Sequence, residues 1–134
     1  MVSISTKGVY AVAAMYTLSK SPHEKLMQIK EIAALTQISH GYLEQILATL
    51  KKANLVVSIR GVNGGYKLAR SAQEILLLEI IEALEGKMFV PPESLGASVV
   101  LDAFWSDIQE KSRALFETKL SELDSSYQVS FYEI

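Results

Sequence analysis

Residues 39–69, SHGYLEQILATLKKANLVVSIRGVNGGYKLA, constrain the fold more than any other stretch of the chain. Leu43, Ile46, Leu47 and Leu50 recur at helical spacing, which buries one face of a helix and leaves the other free. That helix runs directly into two short strands, expected at 56–59 and 66–69. Between the strands, Asn63-Gly64 and Gly64-Gly65 supply the positive-φ positions that a tight hairpin needs. One arginine, Arg60, stands at the base of a turn built from Gly61, Asn63, Gly64 and Gly65. A helix whose start fits a major groove, beside a β-wing that lies along the backbone or minor groove, is a winged helix-turn-helix. The expected partner is double-stranded DNA, not a substrate.

The remainder of the chain fits around this unit. Ser5 or Thr6 caps a first helix to about residue 19, with Val9, Val12, Ala13 and Tyr16 on one face. Ser21-Pro22 ends it, because proline cannot continue the backbone ladder. Leu26-Met27-Gln28 reads as a short extended piece. A second helix over 29–36 buries Ile32, Ala33 and Leu35, and a brief turn then leads to Ser39, the N-cap of the third helix. Ser71 to Glu74 has capping-box spacing for a fourth helix, although 75–78 can equally begin extended; Gly86 stops it. Residues 87–98 form a loop with two prolines. Beyond it, Val100, Leu101, Phe104, Trp105, Ile108, Leu115, Phe116, Leu120 and Leu123 predict one amphipathic helix over 96–124, roughly 28 residues and about 40 Å long. Such a length exceeds what a small domain covers, and a stripe with Phe and Trp on it calls for a partner chain. The expected dimerisation residues are Leu101, Phe104, Trp105, Ile108, Leu115 and Phe116. The fold class is therefore mainly α: a winged helix-turn-helix DNA-binding domain over 1–86 with a two-stranded wing, a loop over 87–98, and a long C-terminal dimerisation helix with a tail over 99–134.

Composition removes several alternatives. Of 134 residues none is cysteine, which excludes disulfides, thiolate zinc sites and cysteine-ligated clusters. No apolar run approaches the ~18–20 residues needed to cross a bilayer, so no membrane partner is expected and the cytoplasm is the default location. The net charge of −2 hides a segregation. Residues 1–70 hold seven Lys and two Arg against three Glu, a balance of +6; residues 71–134 hold three Lys and one Arg against nine Glu and three Asp, a balance of −8. A basic half can dock on phosphates while an acidic half faces away.

At the start of the third helix, Ser39, His40, Gly41, Tyr42, Glu44 and Gln45 are the candidate DNA contacts. Gln45 is the best base reader, since an amide pairs bidentately with adenine; Glu44 can accept from cytosine. Ser39 and Tyr42 serve equally well as cap and packing residue. Arg60 is the strongest single candidate, a guanidinium at an otherwise uncharged wing, suited to a narrow minor groove. Asn63, Gly64 and Gly65 shape the wing and offer backbone N–H groups. Lys51, with Lys52, Lys7 and Lys67, supplies generic phosphate contacts. His23 and His40 have no metal-ligand spacing, and no nucleophile–base pair or nucleotide-binding glycine motif occurs. Neither an enzyme nor a cofactor is expected.

The stretches STKGVYAVAAM (5–15), IAALTQIS (32–39), YLEQIL (42–47), LVVSIRG (55–61) and GGYKLA (64–69) together resemble the Rrf-two family of bacterial transcription regulators, with weaker similarity over LEIIEALEG (78–86) and around Phe104-Trp105. The resemblance implies homodimers whose long C-terminal helices cross, each presenting a winged helix to half of a palindromic operator, often as repressors. Family members that sense iron or nitric oxide carry three cysteines in the loop that corresponds to 87–98. This chain has none there and resembles the cluster-free branch. In the iron–sulfur regulator of the family, a glutamate matching Glu44 tunes operator choice. The alternative reading is a protein-interaction regulator that works with a metabolic enzyme partner, with DNA binding secondary. A small-molecule effector seated near Met88, Phe104 and Trp105 is a third.

Overall fold

The computed structural model describes residues 4–22, 25–89, 96 and 98–127. His23, residues 90–95 of the expected loop and the tail from 128 onward lie outside them. The helices are α1 (Thr6–Ser19), α2 (Ile29–Thr36), α3 (His40–Lys52), α4 (Leu77–Glu85), α5 (Val99–Phe116) and a short α6 (Leu123–Ser126); the strands are β1 (Val56–Ile59) and β2 (Gly65–Leu68). Single 3₁₀ turns at Ala72–Glu74 and Leu120–Glu122 precede α4 and α6.

Helix α3 buries Leu43, Ile46, Leu47 and Leu50, as its periodicity predicts. These meet Met15 of α1, Ile32 of α2, Val56 of β1 and Ile80 of α4 in one core. Helix α1, however, buries Gly8, Ala11, Ala14, Met15 and Leu18. Val12, Ala13 and Tyr16 are only half-buried and Val9 is exposed. Gly8, Ala11 and Ala14 let α1 approach its neighbours α2, α3 and α4 closely, while Met15 and Leu18 of the same face fill the core. Leu35 on α2 is also exposed, at 69%.

Local chemistry fixes the joints. Gln37 takes a left-handed conformation (φ 63°) after α2, and its N–H donates to the Ala33 carbonyl at 2.8 Å. Asn54 (φ 61°) does the same after α3, where the Leu55 N–H reaches the Leu50 carbonyl at 3.0 Å. Leu50 and Leu55 are both buried, completing the hydrophobic contact of a Schellman cap. At the start of α1, Ser5 makes no side-chain cap. Its N–H instead donates to Glu85 Oε1 at 2.9 Å, and its hydroxyl donates to the same oxygen. These Ser5 hydrogen bonds hold the Glu85 carboxyl below the usual carboxylate range, with a smaller contribution from Lys7. The folded form thus favours ionised Glu85, so its stabilisation is present above about pH 4.5 and fades as pH falls through the lowered folded value. Glu85→Gln should lower the urea midpoint at pH 7, and the gap from the parent chain should close below pH 4.5, as the parent protonates too. A gap independent of pH would rule out this assignment.

The expected 28-residue helix is not formed. Helix α5 stops at Phe116 after 18 residues, about 27 Å. The chain then extends and pairs across to the head: the Leu77 N–H donates to the Thr118 carbonyl (2.9 Å) and the Leu120 N–H to the Ile75 carbonyl (2.8 Å). This pairing aligns Lys119 with Leu76 and carries Leu120 into the head's core, where it is 2% exposed. The Tyr16 hydroxyl donates to Asp124 Oδ1 at 2.5 Å, and Lys20 pairs with the same carboxylate. Leu120 and Leu123 therefore belong to the head and not to the outward stripe of the helix. Residues 75–76 are extended, the second of the two starts open to α4, and Ser71 caps the preceding 3₁₀ turn by accepting from the Gln73 N–H.

Candidate nucleic-acid interface

Helices α2 and α3 meet through the three-residue turn Gln37-Ile38-Ser39, with Ile38 buried as its anchor. Ser39 caps α3, its Oγ accepting from the Tyr42 N–H at 3.3 Å. Because Leu43, Ile46, Leu47 and Leu50 face inward, His40, Gly41, Glu44, Gln45 and Lys51 are left on the outer face. No described residue hydrogen-bonds the Gln45 amide. His40 Nε2 lies 3.3 Å from Glu44 Oε1, one helical turn along, so His40 restrains the Glu44 carboxylate on the helix surface. Tyr42 is half-buried, with its ring edge-on to Tyr10 of α1 at 5.3 Å, so its ring mainly sets the helix against the head.

The wing stands beside this face. Strands β1 and β2 pair antiparallel in the register Val56↔Leu68 to Ile59↔Gly65, one residue earlier in β2 than expected. Met27 adds a third backbone partner, exchanging hydrogen bonds with Tyr66 at 2.9 and 2.8 Å. The positive-φ positions of the wing are Gly61 (119°) and Gly65 (152°), not Asn63 or Gly64. Asn63 and Val62 instead fill the centre of a turn closed by the Gly64 N–H on the Gly61 carbonyl at 3.0 Å. The Gly64 N–H is thereby engaged, and Gly64 is buried: a Cβ there would lie 2.0 Å from the Ile59 carbonyl oxygen. At Gly65 a Cβ would come within 2.5 Å of the Met27 oxygen. Both glycines are thus required by the shape of the wing, and Gly64 has no N–H to spare for a phosphate.

Two polar contacts that the sequence does not reveal hold wing and helices together. Lys51 Nζ donates to Ser58 Oγ at 2.7 Å, joining α3 to β1 while leaving two ammonium hydrogens free. Gln28, the N-cap of α2, donates from Nε2 to the Val62 carbonyl at 3.1 Å and so ties down the wing tip. Gln28 and Glu31 form a reciprocal capping box; their i,i+3 spacing is its one visible trace in sequence. Between α3 and the wing lies a cleft of about 590 Å³, bordered by Glu44, Ala48, Lys51, Ser58 and Arg60. The Arg60 side chain is exposed and makes no hydrogen bond or ion pair with a described residue. The arrangement offers the Gln45 amide and the Glu44 carboxylate on one exposed helix face and, across the cleft from Glu44, a guanidinium with no partner among the described residues. Among the described residues no group of three metal-binding side chains occurs.

The expected dimerisation residues lie elsewhere, on α5. Leu101, Phe104, Trp105, Ile108 and Leu115 are exposed by 42–75%. Phe116 differs: it is half-buried and packs on Phe89 of its own chain, ring centres 5.7 Å apart.

Comparison with known proteins agrees with this geometry. The family profile described as Rrf2, an iron-dependent transcriptional regulator, matches residues 4–125. The chain is 43% identical over 98 residues to the HTH-type transcriptional regulator IscR of Cereibacter sphaeroides, an alignment covering 71% of this chain and 63% of that protein. It is 34% identical over 126 residues to the putative HTH-type transcriptional regulator slr0846 of Synechocystis, covering 90% of this chain and 86% of the relative. Among solved structures, CymR (YrzC), the global cysteine regulator of B. subtilis, superposes with a TM-score of 0.85 at 33% identity, covering 96% of this chain and all of that one. The iron dependence in the family's description does not fit these residues. A chain without cysteine has no thiolates for an iron–sulfur cluster, and residues 87–98 supply none. With its winged helix-turn-helix head and a match over nearly its whole length, the chain belongs to the Rrf2 family of DNA-binding transcriptional regulators.

Proposed function

We propose that the chain is a cytoplasmic repressor that binds an imperfect palindrome as a homodimer. The observation that carries this reading is one cleft with Glu44 and Lys51 of α3 on one side and Arg60, which has no partner among the described residues, on the other, with the exposed Gln45 next to Glu44 on the helix. Gln45 and Glu44 would address base edges in the major groove, while Arg60 enters the flanking minor groove. Lys51 keeps donors for a phosphate while holding the wing at a fixed distance from α3, so helix and wing dock as one rigid unit. Repression would follow from occupancy of the operator.

The second head comes from a second copy. The half-buried positions of α5 are Asp102, Gln109, Ser112 and Phe116, the last packed on Phe89 of its own chain. The apolar stripe of Leu101, Phe104, Trp105, Ile108 and Leu115 is rotated from them by roughly a quarter turn, at about 100° per residue. An identical stripe is the natural cover for it, since two-fold symmetry sets the same patch against itself.

Gln45→Ala tests the reading head. We expect loss of discrimination at one base pair in each half-site, worth about 1–3 kcal/mol, with little change at other positions. Competition binding across single-base operator variants measures it. Uniform weakening at every position would assign Gln45 to the backbone instead.

A further inference from the structure

The reverse side of the wing holds a second concave site. Side chains alternate along β2, so Tyr66 borders the α3 cleft and Lys67 points to the opposite face. There, a pocket of about 150 Å³ lies between the end of α1, the segment after it and the base of β2. It shares no residue with the α3 cleft. Lys25, Lys67 and Arg70 line it together with Ser71, over a floor that includes the buried Leu18, and among the described residues no carboxylate does so.

The donors are unequal in a useful way. Arg70 is held in place, one guanidinium nitrogen donating to the Glu74 carbonyl (3.1 Å) and the other to Glu79 Oε2 (2.6 Å). Two of its five N–H groups are spent and the plane is oriented. Glu79 balances its charge, whereas Lys25 and Lys67 form no ion pair with a described residue. The Ser71 oxygen accepts from the Gln73 N–H at 3.2 Å, which leaves its own O–H to donate. Two lysines without an ion-pair partner among the described residues, an arginine with an oriented guanidinium and a serine thus border one small space. At about 150 Å³ the pocket falls below the roughly 300–1,000 Å³ of sites for drug-sized ligands and matches the size of a small ion.

We propose that this pocket binds a small free oxyanion, of phosphate or sulfate size. Several acceptor oxygens around one anionic centre match donors arriving from three segments, and charge-assisted hydrogen bonds make such contacts strong. The site uses neither α3 nor Arg60, and it takes Lys67, a generic phosphate contact by sequence, to the side of the wing away from the α3 cleft.

The test is a titration of the DNA-free full chain with sodium phosphate, and separately with sodium sulfate, at ionic strength held constant with sodium chloride. Backbone amide shifts are followed by NMR. Saturable shifts confined to residues 18–25 and 67–72 are expected. Lys25→Met with Lys67→Met should weaken the saturable binding by about tenfold or more while leaving the anion-free melting temperature unchanged. Shifts that do not saturate would overturn the proposal, as would saturation unaffected by the double substitution. So would saturable shifts centred on Lys51 and Arg60, which would place the anion in the DNA cleft and leave the DNA-reading assignment standing.

Discussion

A chain carrying Phe104→Glu and Trp105→Glu is expected to be a folded monomer that has lost tight operator binding. Both side chains are about half exposed (49% and 53%), stack on one another edge-to-face at 4.9 Å, and sit at the middle of the α5 stripe. Helix α5 contributes no fully buried residue, so charges at these positions leave the core of the head intact. In a two-fold dimer the two carboxylates would face their own copies, where burial of unpaired like charge is strongly unfavourable. Loss of the second head removes the effective-concentration advantage of linked half-sites, a factor on the order of 10² to 10⁴ in affinity. Sedimentation together with binding to one and two half-sites measures both effects. The substituted chain should bind a single half-site as the parent's individual head does. A variant that remains dimeric would remove α5 from the interface.

Arg60→Ala should produce the second large effect, about 1–3 kcal/mol per head, or roughly 5- to 160-fold, with both heads contributing. The argument rests on what the side chain lacks. It is exposed, with no described partner to lose, and its removal leaves the wing's own supports intact, namely Gln28 on Val62, Lys51 on Ser58 and Met27 on Tyr66. The wing therefore persists and its guanidinium alone disappears. A preference for narrow, A·T-rich flanks should vanish with it, since minor-groove width is read through the local potential. Arg60→Lys should recover only part of the effect, because an ammonium is more strongly hydrated than a guanidinium. Flank-swapped duplexes at fixed salt distinguish this from a phosphate contact, whose loss would weaken all sequences alike and reduce the salt slope by about one.

The reading head was largely legible because its signals are local. Four apolar residues at helical spacing, a serine cap and a glycine-rich turn each act within a few residues, and α2, α3 and the hairpin lie where they point. Helix α1 departs from its sequence pattern for a physical reason. Val9, Val12, Ala13 and Tyr16 fall at helical spacing, whereas packing against three other helices turns Gly8, Ala11, Ala14, Met15 and Leu18 inward. The excess length given to α5 has another cause. Phe116, Leu120 and Leu123 continue a helical spacing, and no glycine or proline interrupts residues 112–125. What ends the helix is a tertiary contact, the backbone pairing of Thr118 and Leu120 with residues 75–77. Likewise, Arg60 and Gln45 stand out as residue types in a suggestive place, but the tethers from Lys51 to Ser58 and from Gln28 to Val62 link positions 7 and 34 residues apart. Only the folded arrangement brings them together.

The central claim is that two heads, each with a reading helix and an arginine-bearing wing, recognise one symmetric site. Selection from a randomised duplex pool at physiological ionic strength, with the parent chain and Arg60→Ala in parallel, tests it most directly. The account predicts a two-fold symmetric motif for the parent, with the flanking positions degraded or the whole motif lost in the variant. An asymmetric motif, or a motif recovered equally strongly by both proteins, would contradict it.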